Sequence, residues 1–333
     1  MSTSSLAGLR VRPLSIADAA MVEMFLNACN QHDLGENWLD TGELEREWQA
    51  LNFCVPEQTY ALFADDQLIA YAEIWDIEPP FIRARGFFRV HPAWRDRGIE
   101  DHLMAWIVET SKRNLARAPQ NLRVALIMSA DSRLSDLCAA YQRHGLRHVR
   151  SYYQMQLELD APPPEPIFPE GISLRTFVKG QDDRAVFEAF DEAFSDHYDH
   201  ISGRFDWFQH HSINNPLSDF SMWYLAMAGD QIAGLCLCSK SIAEDPELGW
   251  VDELAVRRPY RKRGLGLALL RTAFGEFYRR GYRKVGLSVD PQNLTGALRL
   301  YERAGMRPIR TWLRYELVLR EGENRTAQAL TAY

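Results

Sequence analysis

The stretch Arg261-Lys262-Arg263-Gly264-Leu265-Gly266 decides how the second half of this chain folds. It follows an apolar, strand-like run, Trp250 to Val256, and it opens an apolar, helix-like run, Leu267 to Tyr278. Glycines let the backbone approach a ligand closely, and the free N–H groups of a helix start, together with the helix dipole, favour an anion. This segment therefore predicts a loop that holds phosphate.

The spacing of the glycines disfavours two other kinds of phosphate site. A P-loop requires Gly-x-x-x-x-Gly-Lys-Ser/Thr, and this string is absent from the sequence. A dinucleotide-binding turn requires Gly-x-Gly-x-x-Gly, which is absent as well.

The segments after the loop complete an ordered series. A second apolar run, Lys284 to Asp290, precedes Asn293-x-x-x-Ala297, which is followed by Leu300-Tyr301-x-x-x-Gly305-Met306. In this order the motifs resemble the GNAT superfamily of acyl-CoA-dependent N-acyltransferases, over about residues 171–319. The resemblance implies acetyl-CoA as co-substrate. The residues that it assigns to the coenzyme are Leu254, Ala255, Val256, Arg261, Lys262, Arg263, Gly264, Leu265, Gly266 and Asn293.

Length and composition set the class of protein. The chain has 333 residues, enough for two domains, with 46% hydrophobic and 25% charged residues. The N-terminus lacks the apolar core of a signal peptide, and no apolar run reaches the ~18 residues of a membrane span. Five scattered cysteines without zinc spacing predict no metal site and fit a reducing cytoplasm. A net charge of −7 argues against nucleic acid as a partner.

The chain also repeats itself. Four pairs of matching segments keep their order at offsets between 160 and 166 residues, among them Val90 to Gly98 with Val256 to Gly264. A duplicated domain explains such constancy best. We expect an α/β fold of two tandem GNAT-like domains, each a mixed, mainly antiparallel sheet flanked by helices. The expected boundaries are a first domain at 1–158, a Pro-rich linker at 159–170, a second domain at 171–319 and a polar tail at 320–333.

The first copy lacks parts of the expected coenzyme site. A carboxylate at Glu100 would face the phosphates that the loop should hold, unless the side chain turns away. This copy is therefore interpreted as a GNAT fold without a working coenzyme site. The correspondences read from the repeat are Glu100 for Gly266, Gly86 for Asp252, Arg133 for Asn293 and Tyr141 for Tyr301.

Three residues are candidates for the chemistry of the second copy. Asp252 is the first choice for general base, with anchoring of a substrate ammonium or a structural salt bridge as alternatives. At an ordinary pKa of ~3.9 it would be ionised at neutral pH. Because side chains alternate along a strand, Asp252 should share a face with Trp250 and Leu254, and Glu253, the reserve candidate, should face the other way unless a bulge intervenes. The resemblance makes Tyr301 the proton donor to the leaving thiolate, with a tyrosine that only packs on the sheet as the alternative.

The acceptor pocket is expected in the first helices of the second copy, where Asp196, His197 and Tyr198 are the candidate lining residues. We therefore expect a cytoplasmic N-acetyltransferase that moves an acetyl group from acetyl-CoA to a primary amine of a small molecule or peptide by direct attack. The alternatives are a non-catalytic module that binds acyl-CoA or a protein partner, and an enzyme that uses a longer acyl-CoA. The chain would be a monomer or a homodimer, with no membrane partner.

Overall fold

A computed structural model of the chain describes residues 8–195, 197–198, 200, 204–215, 218–240, 245, 247–293 and 295–325. The chain divides into two compact units. Unit 1 comprises Met1–Ser151 with Trp312–Asn324, and unit 2 comprises Tyr152–Thr311 with Arg325–Tyr333. Among the described residues, no helix has both the length and the apolar character that crossing a bilayer requires.

Unit 1 has a six-stranded mixed sheet in the order β1-β2-β3-β4-β5-β12. Only β4 and β5 are parallel, and the other neighbouring strands are antiparallel. The strands are β1 (Leu9–Val11), β2 (Thr59–Ala64), β3 (Gln67–Trp75), β4 (Arg83–Val90), β5 (Val124–Asp131) and, from Trp312 onward, β12 (Arg307–Arg320). The helices are α1 (Ala19–Leu34), α2 (Glu43–Trp48), α3 (Val55–Gln58), α4 (Ile99–Ser111), α5 (Arg113–Arg117) and α6 (Ser135–Arg143).

Unit 2 repeats this plan in the strand order β7-β8-β9-β10-β11-β6. Again one central pair, β10 with β11, is parallel, and its neighbours are antiparallel. The strands are β7 (Ser173–Thr176), β8 (Trp223–Ala228), β9 (Gln231–Ser239), β10 (Leu248–Val256), β11 (Lys284–Val289) and, from Tyr153 onward, β6 (Arg147–Glu158). The helices are α7 (Asp183–Phe194), α8 (Phe205–Phe208), α9 (Leu265–Arg279) and α10 (Ala297–Arg303).

The last strand of each unit comes from the other half of the sequence. Strand β6, which the sequence assigns to the first domain, pairs with β11, and β12, which the sequence assigns to the second, pairs with β5. The units therefore differ from the expected boundaries at 158 and 319. The two strands are similar in sequence, so the pattern alone could not say which half each one completes.

Each sheet buries apolar side chains on both faces, as a sheet flanked by helices must. In unit 2 one cluster centres on α9 and another on α7. Helix α9 packs so closely on β10 that a Cβ at Gly249 would lie 2.4 Å from the ring of Phe277. The prediction of two tandem α/β domains with mixed, mainly antiparallel sheets is confirmed.

Ending the chain after Thr311 should unfold unit 1, because it removes the strand that covers the edge of β5. Tyr315 is 2% exposed within the unit 1 core, and Glu316 forms an ion pair with Arg123. Loss of one buried aromatic side chain alone costs roughly 3–5 kcal/mol, against a typical total stability of ~5–15 kcal/mol. Differential scanning calorimetry should show one unfolding transition fewer than for a chain that ends after Arg325. A unit 1 transition that survives the shorter cut would contradict this assignment.

Candidate functional site

The centre of unit 2 contains a β-bulge in β10. Val251 pairs with Cys238 of β9, but Glu253 pairs with the very next residue, Leu237. Asp252 is therefore an extra residue that has no partner across the strand pair. Bulges bend a strand, redirect side chains and occur frequently beside active sites.

Strand β10 also leaves its parallel neighbour at this point. Its recorded pairing with β11 runs from Leu248 to Val251, whereas its pairing with β9 continues to Val256. Within these described strands, the backbone after Val251 therefore has an open edge on the β11 side. Buried backbone donors and acceptors normally find partners, so such an opening suits a ligand with polar groups along its length. The residues predicted to contact the coenzyme arm, Leu254, Ala255 and Val256, lie along this edge.

The bulge corrects the expected facing of the two acidic residues. Val251 and Leu254 both pack against the α9-side cluster, although strict alternation would place them on opposite faces. The prediction that Asp252 shares a face with both Trp250 and Leu254 is therefore wrong. The extra residue resets the alternation, and Ala255 lies in the cluster on the α7 side. The charges of Asp252 and Glu253 interact, so the two carboxylates belong to one site.

Both carboxylates have pKa values near neutrality. Asp252 remains accessible to water, yet the surrounding protein removes enough hydration to raise its pKa to about 7. Desolvation raises the pKa of Glu253 to about 8, and the charge of Asp252 adds to this shift. The ordinary pKa of ~3.9, on which ionisation at neutral pH depended, therefore does not apply to Asp252. Among the described residues Asp252 forms no ion pair, which removes the structural salt bridge as its role.

Ser239 holds one oxygen of this pair. Its hydroxyl lies 3.1 Å from Oδ1 of Asp252, and this hydrogen bond lowers the pKa of the carboxyl against the larger effect of desolvation. The sequence analysis did not identify Ser239. Its position at the end of β9, opposite Trp250, could have indicated it, but only with the hairpin register known.

Tyr301 interacts electrostatically with Glu253 of this pair. It belongs to α10, is 7% exposed, and packs in the α9-side cluster. Desolvation, followed by the charges of Cys236 and Glu253, raises the pKa of its phenol. In the described part of the chain no hydrogen bond ties its hydroxyl to another residue. Tyr301 and Glu253 therefore interact electrostatically, and no described residue holds the tyrosine proton. The catalytic roles of Asp252, Glu253 and Tyr301 stay predictions.

The loop before α9 has the backbone that an anion site requires. Lys262 and Gly264 are both left-handed, with φ values of 61° and 84°, and Gly264 caps the helix. The first turn of α9 carries no acidic residue, so its unpaired N–H groups face no competing charge of its own. A Cβ at Gly266 would lie 3.1 Å from Leu300, which shows how little room a side chain has there.

The side chain of Arg261 stabilises this loop from within. Its Nε donates to the carbonyl oxygen of Val256 at 2.9 Å, and its Nη2 donates to that of Ala193 at 3.0 Å. These bonds join the loop to the end of β10 and to α7. Arg261 therefore positions the loop, and any contact with a phosphate would come from its backbone or from its neighbours.

The predicted acceptor residues meet the predicted coenzyme residues at Asn293. Its Nδ2 lies 2.7 Å from Nε2 of His197, and its Oδ1 accepts from the backbone of Thr295 ahead of α10. Tyr198 lies one residue from His197, whereas Asp196 is outside the described residues. Over the described part of the chain, no group of three or more His, Cys, Asp or Glu residues is placed to hold a metal ion.

The corresponding strand of unit 1 contains no bulge. Its parallel pairing with β5 ends at Gly86, as that of β10 ends at Val251, so Gly86 corresponds to Val251. Phe87 then corresponds to Glu253, and the correspondence of Gly86 with Asp252 is wrong because Asp252 is the inserted residue. Unit 1 thus has neither carboxylate. Its Tyr141 donates to the carbonyl oxygen of Ser129 at 3.3 Å.

The loop before α4 in unit 1 has the same backbone conformation as the loop before α9, but it carries the carboxyl group of Glu100. Asp96 and Gly98 are left-handed, at 60° and 78°, as their counterparts in unit 2 are. Desolvation raises the pKa of Glu100, while hydrogen bonding from the backbone of Glu100 and Asp96 acts against this. The Glu100 carboxylate therefore lies against the loop backbone, which disfavours the alternative that it turns away.

Asp252→Asn should make the chain more stable above neutral pH. Between pH 3.8 and about 7 the folded state holds a proton that the unfolded chain has lost, so this group's contribution to stability falls as pH rises through that range. Asparagine cannot ionise and avoids the loss. The melting temperature of the variant should exceed that of the unchanged chain above ~pH 8 and match it below ~pH 4. Ser239→Ala should shift stability in the opposite direction at high pH, and equal pH profiles for all three chains would refute the account.

Comparison with known proteins identifies the family of this chain. The acetyltransferase (GNAT) family model matches residues 184–306. A relative from Streptomyces scabiei, named mycothiol acetyltransferase, is 30% identical over 260 residues, which cover 76% of this chain and 78% of the relative.

Two solved structures extend the likeness to the whole chain. A GCN5-related N-acetyltransferase from Sphaerobacter thermophilus is 32% identical, with a TM-score of 0.79 over 97% of this chain and 99% of the other. A tandem GNAT protein from the clavulanic acid biosynthesis pathway shares the fold at 15% identity, with a TM-score of 0.68 over 95% and 100% of the two chains. The chain belongs to the GNAT family, and it is an N-acetyltransferase that transfers the acetyl group of acetyl-CoA to an amine of a small molecule.

Proposed function

We propose that unit 2 is the only catalytic centre of the chain and that the carboxylate pair at the bulge is its general base. The observation that carries this proposal is the pair of pKa values, about 7 for Asp252 and about 8 for Glu253, beside the open edge of β10. A base works best when its pKa lies near the working pH. A structural ion pair would instead hold these pKa values low.

In this proposal Asp252 takes the proton of the incoming ammonium, directly or through one water, so that the free amine attacks the thioester. Glu253, protonated at neutral pH, stays close to Asp252 and limits the negative charge of the site. As Asp252 loses its proton, the attraction between its carboxylate and the ammonium grows. Base and ammonium anchor are thus successive uses of the same side chain.

The reaction also requires stabilisation of the acyl oxygen and a proton for the thiolate. Groups on the same strand and on α10 provide these two functions. Backbone N–H groups of Leu254 to Val256, on the edge that β11 leaves open, stabilise the charge that develops on the acyl oxygen. The phenol of Tyr301 gives its proton to the departing thiolate sulfur. Its raised pKa keeps the phenol protonated throughout the neutral range.

The acceptor enters, we propose, beside His197 and Tyr198. The contact between His197 and Asn293 supports this, because it joins the acceptor segment to a residue assigned to the coenzyme. The amine acetylated by the relatives named mycothiol acetyltransferase is the first acceptor to test. Five unpaired cysteines support a reducing, cytoplasmic location.

Acetyl-CoA should bind with a stoichiometry near one per chain, and Gly266→Glu should weaken that binding strongly. The substitution places a carboxylate against the loop backbone, as Glu100 does in unit 1. Loss of two charge-assisted hydrogen bonds should weaken binding by roughly 10²–10⁴-fold in titration calorimetry.

Gly275→Glu is the matched control for this experiment. It makes the same change on the same helix, at a position where an added Cβ meets nothing within 4 Å. It should leave the affinity unchanged. Two equivalent sites per chain, or a full site in Gly266→Glu, would show that unit 1 binds the coenzyme.

Asp252→Asn should lower kcat/KM for the amine by roughly 10²–10⁴-fold, the usual contribution of a general base. In the unchanged chain kcat/KM should rise with pH through about 7 as the carboxylate ionises, and the variant should lose this rise. Release of the CoA thiol provides the measurement. Glu253→Gln should keep the rise, because Asp252 remains.

A pure anchor would give a different signature. It would raise KM and leave kcat almost unchanged, since uniform binding would be lost. If Asp252→Asn keeps the pH-dependent rise and Glu253→Gln abolishes it, the base is Glu253 and the assignment within the pair is wrong.

A further inference from the structure

Unit 1 contains a large cleft that acetyl transfer in unit 2 does not use. It has a volume of about 510 Å³ and lies between the end of β4, the loop before α4 and the start of α6. Sites for small organic ligands usually measure ~300–1,000 Å³. The cleft therefore has room for a small molecule, although Glu100 occupies the loop backbone at its edge.

Arg89 forms the inner end of this cleft. It is 5% exposed, and its guanidinium lies 4.7 Å from the ring centre of Phe87 and 5.0 Å from that of Trp38. Its Nη1 donates to the carbonyl oxygen of Phe88, but its buried Nε has no hydrogen-bond partner. No carboxylate of the described residues forms an ion pair with it.

The carboxylate of Asp33, which acts on Arg89 electrostatically, already pairs with Arg95. Both carboxylate oxygens of Asp33 accept from Arg95, each at 2.8 Å, and the His32 ring lies 3.0 Å from one of them. Asp33 acts on Arg89 only through space. Two arginines thus share one carboxylate, which leaves an excess positive charge at the inner end. A buried charge without a partner is costly, so a bound anion would stabilise this arrangement.

The cleft corresponds to the place in unit 2 where the acetyl group would lie, a correspondence that rests on the function proposed above. Arg89 pairs with Tyr71 across the β3–β4 ladder, and Ala255 pairs with Leu235 at the same position of the β9–β10 ladder. Arg89 therefore stands in unit 1 where unit 2 has the small residue Ala255. A guanidinium at this place blocks a thioester but offers a fork of donors to a carboxylate.

We propose that this cleft of unit 1 is a binding site for a small monocarboxylate, whose carboxylate pairs with Arg89 and whose apolar body lies against Leu134 and Leu137, which also line the cleft. The outer wall favours a single charge over a polyphosphate. It includes Asp96, Glu100, Asp101 and Asp136 against Arg133 and Arg143, and this excess of negative charge would repel a diphosphate more than a single carboxylate. The duplicated unit would thus have exchanged coenzyme binding for recognition of a carboxylate.

The test is titration of the full chain with benzoate and hexanoate at constant ionic strength, followed by calorimetry and by melting temperature. Benzamide and hexanamide have the same shape without the charge and should not bind. Arg89→Met should weaken carboxylate binding by roughly 10- to 100-fold, the loss expected for a charged hydrogen-bonded pair. Its melting temperature without ligand should not fall, since an apolar side chain replaces an unpaired buried charge.

Two further variants keep the test decisive. Arg143→Met changes an exposed arginine of the same cleft that already pairs with Asp101, and it should bind benzoate normally. Arg89→Lys keeps the charge and should retain weaker binding if Arg89→Met fails to fold. Binding that persists in Arg89→Met, equal binding of the amides, or no binding in the unchanged chain would overturn the proposal. Saturable binding of inorganic phosphate instead of carboxylates would overturn it as well.

Discussion

The site of unit 2 depends on one backbone constraint, the bulge at which β10 takes up Asp252 and parts from β11. An extra residue bends the strand and interrupts its ladder, so the same feature opens an edge of backbone and brings two carboxylates into electrostatic contact. Without it, alternation would separate Asp252 from Glu253. Desolvation then places the pKa values of both near neutrality, where a base can exchange a proton with an amine.

The effect of the bulge is seen by comparing the two units, because their sheets and loops are otherwise alike. Their sheets have the same strand order and parallel pair, and their loops before α4 and α9 have the same left-handed positions. Unit 1 lacks the bulge, and Phe87, Arg89 and Glu100 stand where unit 2 has Glu253, Ala255 and Gly266. A few side chains and one inserted residue therefore separate the unit with the proposed catalytic site from the other unit.

Much of this could be read from the sequence, because some constraints are local. A glycine before an apolar helix, here Gly264, predicts a left-handed cap, and the φ of 84° agrees. The motif around Tyr301 predicted a proton donor there, which stays a prediction, and the structure buries this tyrosine at 7% exposure.

Other features depend on pairing at a distance. A bulge leaves no mark in the sequence pattern. Strict alternation around Asp252 therefore predicted the wrong faces for its neighbours. Strands of similar sequence, such as β6 and β12, do not show from sequence alone which sheet they complete. The raised pKa values likewise arise from packing around the carboxylates, which sequence spacing does not describe.

The most direct test of the central claim is a crystal structure of the chain with acetyl-CoA bound. The account predicts one coenzyme per chain, with its diphosphate on the N–H groups of the Gly264 loop and its arm along the open edge of Asp252 to Val256. The acetyl group should then lie within reach of a water held by Asp252. Coenzyme on the Gly98 loop of unit 1, or an arm that avoids the edge opened by the bulge, would contradict the account.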